Sequence, residues 1–586
     1  MQASNVPVVP PSQYPPKHLP AHLRIAFIHP DLGLGGAERL VVDAATALQK
    51  RGHEIEVFTS YHEDGKEGRS FEETRDGTLK VHVLGNSIFP RSVLGKFTIV
   101  CAMLRQLHLA WSFLLATTLY NLSSLPLLSL VLLPLDAPFS SSSDWSPRRQ
   151  LEPFDVVVID QLSTAIPVLR WFGQNRVVFY CHFPDLLLAS GPHGVSAPHD
   201  PRAGQPFSFR NELKSLYRAP IDQLEQSTTG EADKVLVNSA FTQQVFEATF
   251  KELRRTPRVV YPAVDVKQFG EGGKAALTST TVAERDRWLL ADSRPTLLSI
   301  NRYEGKKDLA FAVEAFAKLR ASGGSKDVRL VCAGGYDPRL GDNVRTLANL
   351  QQLADRLGLT QHTYSEAELP RDVKSPVPAR FRPTISATPA DAAAARPPDV
   401  VFLLNMSSSQ KQLLLTPTVA KTVALLYTPM YEHFGIVPLE AMAAGIPVLA
   451  TETGGPTETV VDNGLPDPAL SEADLETQAG PARDSTGLLR PRDPDAWASA
   501  LEALVALPDA HRALLARAGQ RRVREGFSVE RLGEEMERAC RDAAQVGYPI
   551  PYETGYRKMC AFVVIGLVTL SLGGVMFWYQ PLEGRM

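Results

Sequence analysis

Short apolar runs alternate along this chain with stretches in which apolar residues recur every three or four positions. The run LRIAFIHP, from Leu23, predicts a strand, and DLGLGGAE after it a glycine-rich turn. Leu40, Val41, Ala44, Ala47 and Leu48 then recur at helical spacing. Gly52 ends that helix, and EIEVFTS follows as a second strand. This is a βαβ unit with a glycine turn at the carboxyl end of its first strand, where doubly wound sheets bind ligands. The runs FDVVVID (154–160), RVVFYCHFP (176–184), KVLVNS (234–239) and RVVYP (258–262) continue the alternation. A second series begins near Pro295 with TLLSINR, the helical stretch 308–320 and VRLVCAGG (328–335), and resumes with VVFLLN (400–405), VALLYTP (423–429) and IPVLAT (446–451). Alternation of this kind implies mainly parallel sheets. The expected fold class is α/β, with two Rossmann-like domains facing across a cleft.

At 586 residues the chain is too long for a single core. The domains are expected at 21–270 and 271–545, after a polar, proline-rich tail at 1–20 that lacks the apolar core of a secretory signal. Residues 361–399 turn rich in Pro, Ala and Ser and are expected as a disordered insertion. Net charge is −3, from 61 basic and 64 acidic residues, which gives no hint of a nucleic-acid partner. The five cysteines form no CxxC pair, so they read as buried thiols in a reducing compartment.

Two stretches suit a membrane. Residues 559–579 carry no charge, follow Arg557-Lys558 and end in Phe577-Trp578-Tyr579, as a transmembrane helix would. Residues 106–135 are also apolar but include His108, Pro126 and Pro134. They are expected to be membrane-associated, with spanning, interfacial and internally packed placements all open.

The densest chemical signal is YEHFGIVPLEAM (431–442). Pro438 suits the first turn of a helix. Glu432 then lies in the preceding loop and Glu440 inside the helix. The amides of Phe434, Gly435 and Ile436 sit at the helix N-terminus, which stabilises an anion such as a diphosphate, while carboxylates accept hydrogen bonds from sugar hydroxyls. A solvated loop acid and a capping acid remain the bland alternative. Arg302 and Lys307 follow a strand, so two cations sit at its ligand edge. Gly454-Gly455 follows IPVLAT and permits close backbone approach. Gly33, Gly35 and Gly36 form the corresponding turn in the first domain, but Glu38 stands where a dinucleotide fingerprint needs its third glycine, so a dehydrogenase is excluded. His182 ends a strand, as a sugar contact or as an ordinary structural histidine. No DxD-like metal pair stands out, and Arg302 and Lys307 supply the positive charge a metal would bring.

Together these residues resemble the retaining glycosyltransferases of family 4 with the GT-B fold. Glu432 and Glu440 match the family's E-x7-E pattern, and Arg302 and Lys307 its Arg-x4-Lys element. GGAERLVVDAA (35–45), FYCHFPDLLL (179–188), LYRAPID (216–222), SINRYEGKK (299–307), AGGYD (333–337) and EHFGIVPLEAM (432–442) are similar to the dolichol-pathway mannosyltransferases that add the second and third mannoses of the N-glycan precursor. The resemblance covers roughly 21–360 and 400–545. It implies a GDP-mannose donor, a dolichol-diphosphate-linked oligosaccharide acceptor, α-1,3 and α-1,6 linkages, no metal or other cofactor, and the cytosolic face of the endoplasmic reticulum membrane. By the same resemblance Glu432 contacts the transferred sugar, Glu440 the donor ribose, Arg302 and Lys307 the diphosphate, Gly35 and Gly36 the donor and acceptor, and His182 the mannose. Other glycosyltransferases of the pathway are possible partners. A phosphatidylinositol or other lipid mannosyltransferase of the same fold, and a non-catalytic nucleotide-sugar-binding scaffold, are the alternatives.

Overall fold

A computed structural model of the chain describes residues 19–63, 70–84, 88–90, 98–118, 153–184, 221–269, 286–323, 327–365, 377–378, 381–386, 388 and 397–546. The expected C-terminal membrane helix at 559–579, and most of the tail at 1–20, lie outside them.

The described strands build two seven-stranded parallel sheets. The first joins β1 (Arg24–Leu32), β2 (Glu54–His62), β3 (Lys80–Val83), β4 (Val156–Asp160), β5 (Val177–Cys181), β6 (Lys234–Val237) and β7 (Arg258–Val259) in the order β3-β2-β1-β4-β5-β6-β7. β4 and β5 are buried along their whole length, which is why they read as unbroken apolar runs. Chain order reverses between β1 and β4, the switch point of a doubly wound sheet. Helix α1 (Gly36–Lys50) leaves β1 through the glycine turn and buries Leu40 to Leu48. Helix α2 (Thr98–Thr118) holds the described part of the 106–135 segment. Its Leu109, Ala110, Phe113 and Leu114 are buried in the core with Phe58 and Phe154. α2 is also the one helix among the described residues long and apolar enough to cross a membrane, and half of its most apolar window is buried inside the protein.

The second sheet joins β8 (Thr296–Ile300), β9 (Arg329–Gly334), β10 (Gln361–Ser365), β11 (Val400–Leu404), β12 (Thr422–Tyr427), β13 (Val448–Thr451) and β14 (Gly487–Arg490) in the order β10-β11-β9-β8-β12-β13-β14. Its switch point falls between β8 and β12. Helices α3 (Leu309–Ala321), α4 (Ser408–Leu414), α5 (Ile436–Ala443) and α6 (Pro494–Ala506) belong to this unit. α3 and α6 meet over a core in which the Phe311 and Trp497 rings lie 4.9 Å apart.

Two sequence expectations change. The stretch 361–399 is not unstructured at its start: Gln361–Ser365 pairs in register with β11, and Ser386 bridges to Tyr364. The second domain also does not run from 271 to 545. The described residues fall into two compact units, one from 19–262 with 529–546 and the other from 263–528. The reason is the last described helix, α7 (Val529–Ala544), which returns to the first unit. It buries Leu532, Met536, Ala539 and Cys540, and a Cβ on its Gly533 would come within 2.9 Å of the Ala47 side chain of α1. Arg51 reaches Glu537 at 2.5 Å; burial pushes that carboxyl up, but the hydrogen bonds of Arg541 and Arg51 outweigh it and bring it to about 2. The four described cysteines are buried.

Candidate active site

In the second unit the loop after β8 and the loop after β12 leave adjacent strands at the switch point. The first carries Lys307 and the second Glu432, and the Lys307 ammonium donates to Glu432 Oε2. Thr428, just past β12, donates its hydroxyl to the Lys307 carbonyl at 2.7 Å and ties the loops together. Burial pushes the Glu432 carboxyl up. The charge and hydrogen bond of Lys307, helped by His433 and Lys306, outweigh that and bring it below the usual range. The Tyr427 phenol is pushed well above its usual range, first by burial and then by the charge and hydrogen bond of Glu432.

Gly435 caps α5 at φ +85, a left-handed conformation, and a Cβ there would come within 3.1 Å of the Tyr427 ring. Gly454 and Gly455 hold the same loop from the other side. A Cβ on Gly454 would lie 2.5 Å from the Glu432 carbonyl oxygen, and one on Gly455 2.4 Å from the Phe434 backbone. The close approach expected of this pair is therefore made to the Glu432–Phe434 backbone. The Gly455 amide donates to the Glu432 carbonyl at 2.7 Å. Phe434 is buried, its ring 6.0 Å from Phe527. Ile436 opens α5, whose first-turn amides have no acceptor within the helix.

Glu440 lies within α5. Its Oε1 accepts from Lys411 Nζ of α4 at 2.6 Å, and its Oε2 is buried without a hydrogen-bond partner. Arg302, the other expected cation, does not join Lys307. Its side chain is 62% exposed and pairs with Glu304 at 2.8 Å. The expected cation pair is thus two separate ion pairs, and each glutamate of the E-x7-E pattern carries a lysine. Lys411 escapes sequence reasoning because nothing local links it to Glu440, 29 positions away.

In the first unit three adjacent strands bring polar side chains together. His29 lies in β1, Asp160 ends β4, and His182 follows β5. Asp160 Oδ1 and Oδ2 lie 2.8 and 3.0 Å from His29 Nδ1, and Oδ2 is 3.1 Å from His182 Nε2. His29 and Asp160 are buried. Burial lowers the His29 pKa, but Asp160 and then Glu38 raise it to about 10. Burial raises that of Asp160, but His29 and His182 bring it to about 2. Both shifts favour the charged pair at neutral pH. Gly35 precedes α1 in extended conformation, and a Cβ there would run into the Glu38 carboxylate at 2.3 Å, whereas one on Gly36 would meet nothing within 4 Å. Sequence reasoning missed His29 and Asp160. Their signal was a polar residue closing an otherwise apolar run. Among the described residues no three His, Cys, Asp or Glu side chains are grouped to hold a metal ion.

Two family models match the chain: Glycosyltransferase Family 4 over residues 34–268 and Glycosyl transferases group 1 over 392–521. The chain is 39% identical over 522 residues to the alpha-1,3/1,6-mannosyltransferase ALG2 of Kluyveromyces lactis, covering 88% of this chain and 84% of that protein. It is 38% identical over 516 residues to the same-named protein of Saccharomyces cerevisiae, covering 88% and 83%. That of Dictyostelium discoideum is 37% identical over 450 residues, covering 75% and 84%. Among solved structures, the sucrose-phosphate synthase of Thermosynechococcus elongatus superposes with a TM-score of 0.53 at 16% identity, covering 88% of this chain and 98% of that one. The UDP-forming trehalose-phosphate synthase of Burkholderia xenovorans gives 0.52 at 14% identity, covering 89% and 99%. At such identities the structures establish the shared two-domain fold.

Proposed function

This chain belongs to the family of alpha-1,3/1,6-mannosyltransferases, and from that premise we propose that it transfers mannose from GDP-mannose to a dolichol-diphosphate-linked oligosaccharide, with retention at the sugar carbon. The observation that carries the reading is the Lys307–Glu432 pair at the ligand edge of the second sheet, in a chain that matches these enzymes over most of its length.

Leaving-group departure puts negative charge on the diphosphate. Lys307, Arg302 and the first-turn amides of α5 offer positive charge and donors to it, and preorganised donors are worth most where charge develops. Glu432 accepts from a hydroxyl of the transferred mannose, and Glu440, through its unpartnered Oε2, from the ribose. His182 faces the mannose, and Gly35 and Gly36 the donor and acceptor. These groups supply the charge a metal would bring, so transfer proceeds without one. The work is placed at the endoplasmic reticulum membrane, with both units on the cytosolic side, next to the lipid-linked acceptor and the other transferases of the pathway.

The test is incubation of the purified full-length chain with GDP-mannose and synthetic dolichol-diphosphate oligosaccharide, with and without chelator after dialysis, followed by linkage analysis. New α-1,3 and α-1,6 mannoses with chelator present are expected. Transfer only to phosphatidylinositol would replace the acceptor, binding without turnover would favour a scaffold, and loss of activity restored by magnesium would overturn metal independence.

A further inference from the structure

We infer that Asp160 and His29 are positioning residues for His182, fixing which of its ring nitrogens is turned to the transferred sugar; the inference rests on the reading that His182 faces that sugar. A carboxylate can only accept. With Asp160 ionised, the His182 Nε2 at 3.1 Å must carry the proton and donate. The ring then has one polar atom left, Nδ1. In the neutral imidazole it is an acceptor, so a mannose hydroxyl donates to His182.

The orientation of the ring is over-determined. Asp160 is held by His29 Nδ1 at 2.8 Å, and its carbonyl takes the Gln106 amide at 3.3 Å. The His182 carbonyl accepts from Asn238 Nδ2 at 3.0 Å, and the ring lies 5.0 Å from that of Tyr180. His29 has no exposure. Its Nε2 is buried without a hydrogen-bond partner, 3.9 Å from the Glu38 carboxylate at the start of α1. A purely structural ion pair needs neither the second histidine on the same carboxylate oxygen nor a place at the sheet's switch point. The apolar-walled cavity beside Asp160, lined by Phe27, Val158 and Met536, is about 10 Å³, too small for a sugar.

The experiment joins selective ¹⁵N-histidine spectroscopy with kinetics on the full-length chain. Wild-type His182 is expected as the Nε2–H tautomer, and the opposite tautomer overturns the inference without any variant. The double variant D160N/H29Q removes both buried charges together, so that neither is stranded. Its kcat is expected to fall about tenfold or more, the scale of one well-placed hydrogen bond to the reacting sugar, with donor KM and Tm near wild type and the His182 signal shifted to a mixture of tautomers. Unchanged kcat and tautomer overturn the inference. H182A tells the two readings apart: if it keeps wild-type kcat, the sugar reading fails, and if it alone loses kcat, only the positioning role fails.

Discussion

Lys307 and Glu432 form an ion pair across the reversal of strand order in the second sheet, joining the loop after β8 to the loop after β12. The same place in the first sheet holds the ion pair of His29 and Asp160. A switch point splays the loops of adjacent strands apart, so a charge pair there both ties the crevice and lines it.

The two cations of the second unit should therefore differ on mutation. Lys307→Ala leaves Glu432 largely buried without its counter-charge. An unsatisfied group of that kind costs about 1–3 kcal/mol, so Tm should fall along with donor use. Arg302→Ala removes an exposed side chain whose ion pair is worth about 0–1 kcal/mol. Donor kinetics should weaken while Tm holds. The double variant K307A/E432Q should regain Tm and stay inactive. Wild-type donor kinetics in both single variants would remove the phosphate-clamp assignment.

Much of the fold was legible because central strands are covered on both faces. β4, β5, β8 and β11 are buried throughout and read as apolar runs. The strands that escaped, β3, β10 and β14, are all edge strands. KVHV and QHTYS mix polar and partly exposed positions, and GLLR is four residues long, so neither period nor run length marks them. The site divided similarly. Glu432, Glu440 and Lys307 sit in local motifs. Lys411, His29 and Asp160 acquire their meaning only from partners brought in by the fold, as Asp160 does from His29, 131 positions away. The placement of α7 was hidden for the same reason: its amphipathic pattern predicts a partner without saying which unit supplies it.

That placement has a consequence for truncation. α7 buries Leu532, Met536 and Cys540 on the first unit, and burying side chains of this size contributes about 1.5–3 kcal/mol each. A chain ending at Ser528 should lose several kcal/mol of first-unit stability, with a lower Tm or aggregation. One ending near Tyr556 keeps α7 and should match the full-length core. Equal melting of the two would show that α7 does not hold the first unit together. Fractionation of the chain ending at Tyr556 tests 559–579 as the anchor, and unchanged membrane association would turn attention to 106–135.

The buried pair of the first unit predicts a pH window. His29 titrates at about 10 in the fold against 6.5 as the ordinary value. Its contribution is full below about 6.5 and is lost as pH rises through about 10. Asp160 titrates at about 2 against 3.8, so its contribution is present above 3.8 and lost as pH falls through about 2. Glu38, His182 and Tyr180 face the same pair. The Tm advantage of wild type over His29→Gln should shrink steadily between pH 6.5 and 10. An advantage that stays constant over that range would mean the imidazolium is not what stabilises the fold.

The two glutamates of the second unit should not be equivalent. Glu432 lies before α5, held by Lys307 and faced by the buried Tyr427 phenol, and the proposed role puts it at the reacting sugar. Glu440 lies inside the helix, anchored through one oxygen to Lys411, and the proposed role puts it at the ribose. Contacts at the reacting centre can tighten in the transition state, whereas remote ones act mainly on binding. Glu432→Gln keeps the shape but withdraws the charge that Lys307 opposes, so turnover should fall more than donor affinity. Glu440→Gln should raise donor KM with a smaller change in kcat. If Glu440 served only to fasten α4 to α5, the variant would lower Tm and leave KM alone, and Lys411→Met would reproduce it. Kinetic constants and melting temperatures for all three variants separate the cases. Full turnover with a raised KM in Glu432→Gln would move that residue away from the breaking bond and require the pair to be reassigned.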